Sequence, residues 1–219
     1  MCGYGKVAPG LAVARVLPLV LILIGGCGTV ADPAPHRSFL VQLDPAAAGA
    51  SLVRKQAAPV YVAPVVVAAP FSGRSLVVRQ SEVGFEADPY AEFAASPVSM
   101  WTDAVLGWLD TRHLFERVLP FGSSADAALT LETNVLEAVI DRRPGQAAAS
   151  RVTIRFLLIR TDTQYQVLLD RTFTRAEPVK GTGAEGDVAA LSRAARDVLL
   201  DFEGALAAAP LPSGAGAPN

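Results

Sequence analysis

The sequence predicts an α+β fold: a mostly antiparallel sheet of about five to six strands with two amphipathic helices packed on one face. Three observations predict it. Leu129–Ile140, Arg151–Arg160 and Tyr165–Arg175 alternate apolar and polar residues, as half-buried strands do, with turn residues between them. Val98, Trp101, Val105 and Trp108 repeat at helical spacing behind Ser96-Pro97. Val188, Leu191, Ala195, Val198, Phe202 and Ala205 do the same near the C-terminus.

The first element is an apolar run, Val16 to Ile24, that ends in Gly25-Gly26-Cys27. Lys6 and Arg15 precede it, and no acid occurs before Asp32. The run is broken by Pro18 and is far shorter than the roughly 20 residues a spanning helix needs. Residues 1–26 are therefore expected to be a secretory signal peptide. Leu23-Ile24-Gly25-Gly26-Cys27 resembles the bacterial lipobox, which implies thioether lipidation of Cys27. Its glycines admit a peptidase to the backbone, and its thiol is the nucleophile that takes up the lipid.

Removal of that segment leaves 193 residues, enough for one domain with a sizeable core. Cys2 leaves with it, so the mature chain holds Cys27 alone and no internal disulfide. Seventeen basic residues then face 21 acidic ones, a net charge of about −4. No basic cluster stands out, which argues against nucleic acid as a partner. The membrane is expected to be reached through acyl chains, each buried CH₂ contributing roughly 0.8 kcal/mol.

Residues 27–37 read as the lipidated N-terminus and a spacer, and 38–208 as the folded domain. Ser38–Leu43 reads as a strand ended by Asp44-Pro45. Val60–Val67 is β-branched and punctuated by Pro59, Pro64 and Pro70, which marks an edge or a bulge. Ser75–Arg79 is a further strand. Gln80–Ala95 lacks a clear period and carries Phe85, Tyr90 and Phe93. Ser96 is a good N-cap with Pro97 at the first helical position, and the helix should run to about Arg112. Its two tryptophans read as core.

In Leu129–Ile140 the apolar parity switches from Leu129, Leu131, Thr133 and Val135 to Leu136, Ala138 and Ile140. That predicts a bulge near Val135 or burial on both faces. Pro144-Gly145 marks the following turn. Asp187 is the expected cap of the last helix. Residues 209–219 are Pro-, Gly- and Ala-rich and read as a disordered tail.

Catalytic patterns are sparse. Gly181-Thr182-Gly183-Ala184-Glu185-Gly186 matches the dinucleotide fingerprint, but the following helix leads to no strand, and Glu185 would repel a pyrophosphate. A glycine loop is the better reading. His36 and His113 are far apart, no pair has metal-ligand spacing, and no Gly-x-Ser-x-Gly elbow occurs. No metal, no cofactor and no enzymatic activity are expected.

Ser75-Leu76-Val77-Val78-Arg79, Tyr90-Ala91-Glu92-Phe93, the Pro97 helix and Leu114-Phe115-Glu116-Arg117-Val118 together resemble the ABC-type transport auxiliary lipoprotein family, paraquat-inducible protein C type. Leu129–Phe173 resembles that family's long central strands, and Asp187–Ala194 the start of its last helix. The resemblance implies a non-enzymatic, periplasm-facing subunit that accompanies an ABC ATPase, a permease and an MCE-domain protein moving lipids or other hydrophobic compounds. A homo-oligomer is compatible with it. Gly28, in place of a retaining aspartate, points to the outer membrane. Phe85, Tyr90 and Phe93, aromatic and outside any helical stripe, are the candidate partner-binding residues. Two alternatives are a direct lipid or hydrophobic-solute carrier with a pocket between sheet and helices, and an envelope hydrolase.

Overall fold

The structure is a computed structural model that describes residues 1, 3, 5, 35–51, 58–162 and 165–209. Cys27, the rest of the expected signal peptide and residues 210–219 lie outside the described residues. Two units divide the chain, Met1–Ala34 and Pro35–Asn219, and all described strands and helices belong to the second.

The elements run β1 (Arg37–Phe39), β2 (Val60–Val62), β3 (Val66–Val67), β4 (Ser75–Arg79), β5 (Phe85–Phe93), α1 (Pro97–Thr111), β6 (Val118–Leu119), β7 (Leu129–Asp141), β8 (Ala149–Arg160), β9 (Gln166–Pro178) and α2 (Gly183–Ala208). Among the described residues the sheet has nine strands and is mixed, which corrects the expectation of five or six mostly antiparallel ones.

β7 is the spine. One edge pairs with β8 along its whole length, antiparallel, and β8 pairs likewise with β9. The other edge takes β2, β3 and β4 in turn, all parallel. β6 lies outside β2, β5 outside β4, and β1 outside β5. One extra strand comes from a proline. Pro64 has no N–H to donate, so the expected strand Val60–Val67 is cut into β2 and β3. Ala63 and Ala68 still donate to Leu131 and Val135 of β7 and keep the segment on course.

β5 was legible only as an irregular segment because Asp88-Pro89 bends it. The Asp88 side chain accepts from the N–H groups of Tyr90 and Ala91, and the register against β4 jumps from Ser75↔Glu92 to Val77↔Ala87. The parity switch in β7 is a bulge: the register against β8 shifts between Val135 and Glu137, and Leu136 turns outward. Val135 and Ala138, on either side of the bulge, thus face one core.

α1 starts as its sequence predicts, with the Ser96 hydroxyl accepting from Ser99 N–H at 3.2 Å. It stops by a Schellman arrangement. His113 takes φ +52°, Leu114 N–H reaches back to Leu109, and His113 N–H to Asp110. α2 starts at Gly183, one turn before the expected cap. Asp187 is instead inside the helix and buried, with Arg142 donating to both its oxygens at 2.7 and 2.9 Å. A Cβ on Gly186 would sit 2.8 Å from the Lys180 carbonyl oxygen, so the chain's close entry into α2 requires that glycine.

Phe202 of α2 stacks on Phe156 of β8, ring centroids 4.4 Å apart. Trp101, Trp108, Leu131, Ile154 and Val198 are fully buried around them. The helices meet at Glu203, also buried. It accepts from Trp108 Nε1 at 2.8 Å, from Arg112 Nε and Nη2 at 2.8 and 2.9 Å, and from Ser51 Oγ at 3.2 Å. Among the described residues, no helix is long and apolar enough to cross a membrane.

Candidate functional site

The chain enters its folded unit through β1, which adds only three residues to the outer edge of β5: Arg37↔Ala91, Ser38↔Glu92 and Phe39↔Phe93. The expected strand Ser38–Leu43 stops at Phe39, because Ala94 N–H closes the ladder on the Phe39 carbonyl and β5 ends there. Just before β1, the His36 ring lies 5.9 Å from Tyr90.

The three candidate aromatics separate. Phe93 is 5% exposed and belongs to the core, so it does not present a surface. The alternation Ala91, Phe93 would have shown this had the segment been read as a strand. Tyr90 is 46% exposed, turned out by the bend at Asp88-Pro89. Phe85 is 45% exposed; it meets Phe71 edge-on at 6.4 Å, and the Arg79 guanidinium sits 5.5 Å above its ring. Val83, at the tip between β4 and β5, is almost fully exposed and was not singled out from the sequence. The exposed members of the site are thus Phe85 and Tyr90 on β5, joined by Val83 and His36.

The border of this surface is ionic. Arg79 pairs with Glu82 at 2.9 Å, and Arg143 bridges Glu82 and Asp141, reaching the latter at 2.7 Å. Hydrogen bonds from Arg143, reinforced by its charge and that of Arg151, hold the buried Asp141 carboxyl below the usual carboxylate range. The Glu203 hydrogen bond raises the pKa of Arg112 further above its ordinary value. Among the described residues Glu203, Asp187 and Asp141 are the buried acids, and each is held by an arginine. Such carboxylates accept hydrogen bonds and bind the structure together.

The histidines have separate tasks. His113 ends α1, and His36 lies against Tyr90. Among the described residues, no three His, Cys, Asp or Glu side chains are placed to hold a metal ion. The fingerprint-like glycines straddle a helix start: Gly181 and Gly183 take φ +92° and +70°, and β9 before them is an antiparallel strand. The residues expected as a glycine loop are therefore helical from Gly183 onward.

Beyond Phe39 the chain leaves the sheet and crosses between the helices. Val41 N–H points at Met100 Sδ of α1 (3.5 Å), and Gln42 N–H donates to Ser192 Oγ of α2 (3.1 Å). An open groove of about 600 Å³ flanks the crossing on the α2 side, and one of about 380 Å³ on the α1 side.

Known proteins share this arrangement. A crystal structure of XCC0632 from Xanthomonas campestris matches at 18% identity and a TM-score of 0.64, covering 80% of this chain and 94% of that one. The crystal structure of an uncharacterized protein matches at 14% identity and a TM-score of 0.55, over 80% and 97%. These likenesses are of fold. A search of curated protein sequences finds no match. The family model for the ABC-type transport auxiliary lipoprotein component matches residues 41–201, which takes in β2 to β9, α1 and most of α2. This chain therefore belongs to the ABC-type transport auxiliary lipoprotein component family.

Proposed function

We propose that this chain is a lipid-anchored, non-enzymatic docking subunit that faces the periplasm and joins an MCE-domain protein of an ABC transport system for lipids or other hydrophobic compounds. The carrying observation is the pairing of β1 on β5. It sets the chain's entry against the strand that carries the exposed Phe85 and Tyr90. Arg37 is the tenth residue after Cys27, so an anchor there keeps β1 within about 35 Å of the bilayer. Gly28 after Cys27 supports the outer membrane as that bilayer. The filled layer between sheet and helices, where Phe156 stacks on Phe202, supports contact over carriage of a solute.

Pull-down with the MCE protein encoded beside this chain tests the surface. Phe85→Ala combined with Tyr90→Ala should cut recovery at least tenfold while leaving the melting temperature within about 2 °C, since both side chains are half exposed. Unchanged recovery removes β5 from the account. The anchor is tested separately: Cys27→Ala should move the folded protein from the membrane fraction to the soluble one, with an unaltered circular dichroism spectrum. Retention in the membrane would refute the acyl attachment.

A further inference from the structure

β9 has an open outer edge. Val179 N–H donates to the Ala148 carbonyl just before β8, at 2.9 Å. Antiparallel ladders alternate, so from there the odd-numbered residues of β9 bond to β8 and the even-numbered ones turn N–H and C=O away from it. Among the described residues no strand lies on that outer side. Arg171 Nη1 reaches the Asp170 carbonyl at 3.3 Å, and Arg193 Nη2 the Pro178 carbonyl at 2.8 Å. Between them the backbone groups of Thr172, Thr174 and Ala176 face outward, and all three residues are exposed. Sheets blunt such edges with short strands, prolines, lysines or bulges. β1 and β6, on the other side of the sheet, are three and two residues long. From Asp170 to Glu177, β9 has no proline, no lysine and no shift of register.

The charges on this strand select what can pair with it. Asp170 is bound by Arg155, Arg175 by Asp201 and Glu177 by Arg193. Arg171 is the charged side chain of β9 that no carboxylate meets among the described residues. It shares a strand face with Glu177, six residues on. A second β9 laid antiparallel on the edge, with the two Thr174 residues opposite each other, sets Arg171 of each copy directly across from Glu177 of the other. It also pairs Thr172 with Ala176, so every free outward group finds a partner. Sliding the register by one step, to centre on Phe173, would oppose Arg171 and Arg175, two like charges.

We propose that the outer edge of β9 is an interface for a second copy of this chain, paired about a two-fold axis through Thr174. The pairing fuses two sheets at their longest strands and leaves the β5 surface of each copy free. Its failure therefore leaves the docking proposal standing.

The test is the oligomeric state of the full chain in detergent, with Cys2→Ala and Cys27→Ala removing its two native thiols. Sedimentation velocity should show a concentration-dependent dimer. Thr174→Pro deletes an outward N–H and spares the bonds to β8, so it should weaken the dimer at least tenfold with an unaltered circular dichroism spectrum. Arg171→Glu changes no backbone group and should weaken it at least tenfold as well. Thr174→Cys puts a sole thiol on the axis, about 5.5 Å from its copy between Cα atoms, and should form an interchain disulfide on oxidation. Thr172→Cys, displaced from its copy by about 14 Å along the strand, should not. A monomer at all concentrations, or a dimer indifferent to both Thr174→Pro and Arg171→Glu, overturns the proposal. Cross-linking through Thr172→Cys in place of Thr174→Cys overturns the register. A Thr174→Cys disulfide formed in cells with a different protein, the purified chain staying monomeric, overturns the assignment to a second copy.

Discussion

The two halves of the sheet are built differently. β7, β8 and β9 are 13, 12 and 13 residues long, pair antiparallel over almost every residue, and carry α2 on their inner face. β1 to β6 are two to nine residues long, mostly parallel, and joined by bends at Pro64, Pro70 and Pro89. The long half has one continuous apolar face, with a single bulge on each outer register. The short half is held by contacts made one or two at a time: Val65 N–H on Thr102, Arg74 on the Phe93 carbonyl, Arg112 on Pro45 and Gly49. Phe85, Tyr90 and the crossing segment lie in the short half. Surfaces that bind partners are drawn from regions of lower local stability, and the long half serves as their frame.

Glu203 is where the halves join, so its removal should have the largest effect. Glu203→Ala leaves Arg112 and Trp108 Nε1 buried without their acceptor, and should cost about 3–5 kcal/mol. Urea unfolding measures this. If the comparison is right, hydrogen exchange in Glu203→Ala should quicken most in residues 41–51 and α1, and least in β8.

Asp141 gives a smaller effect, dependent on pH. Its folded pKa lies below the unfolded value of about 4, so its stabilisation is complete above that value and is lost as pH falls through the depressed folded one. Asp141→Asn should therefore lower stability at neutral pH and flatten the acid limb of the stability curve. Urea midpoints between about pH 5 and pH 2 check both parts.

Thr133 sharpens the comparison from the other side. It is 1% exposed in the middle of β7, and its hydroxyl has no partner. Thr133→Val should raise stability by about 1 kcal/mol, seen as a higher urea midpoint. No gain would mean that the long half is less dry than its packing implies.

The same division governs what the sequence makes legible. The meander, the β7 bulge and the Ser96 cap could be read directly because periodicity and capping are local signals. β5 escaped because Asp88-Pro89 interrupts its alternation, and with β5 went the correct placing of Phe93 in the core. β6 is too short to have a period. Asp187 reads as a cap because it precedes an apolar stripe, yet Arg142, 45 residues away, makes it a buried anion inside the helix. Parallel pairing on β7 left no local trace at all, since it joins segments more than 60 residues apart. Of the candidate surface, residue types were legible and exposure was not.

The order in which β7 meets its partners has a consequence for biogenesis. β2, β3 and β4 precede it in the chain, but their neighbour on the sheet appears only at Leu129. A polypeptide delivered N-terminus first carries Val60, Val62, Val65 and Val67 uncovered until some 60 to 70 further residues have followed. Such a chain nucleates late, around the β7–β9 hairpins, and is prone to clumping in the interval. Fragments that stop short of Leu129 would be substrates for holding chaperones or proteases, and the protein's yield would depend on how quickly the residues from Leu129 onward arrive.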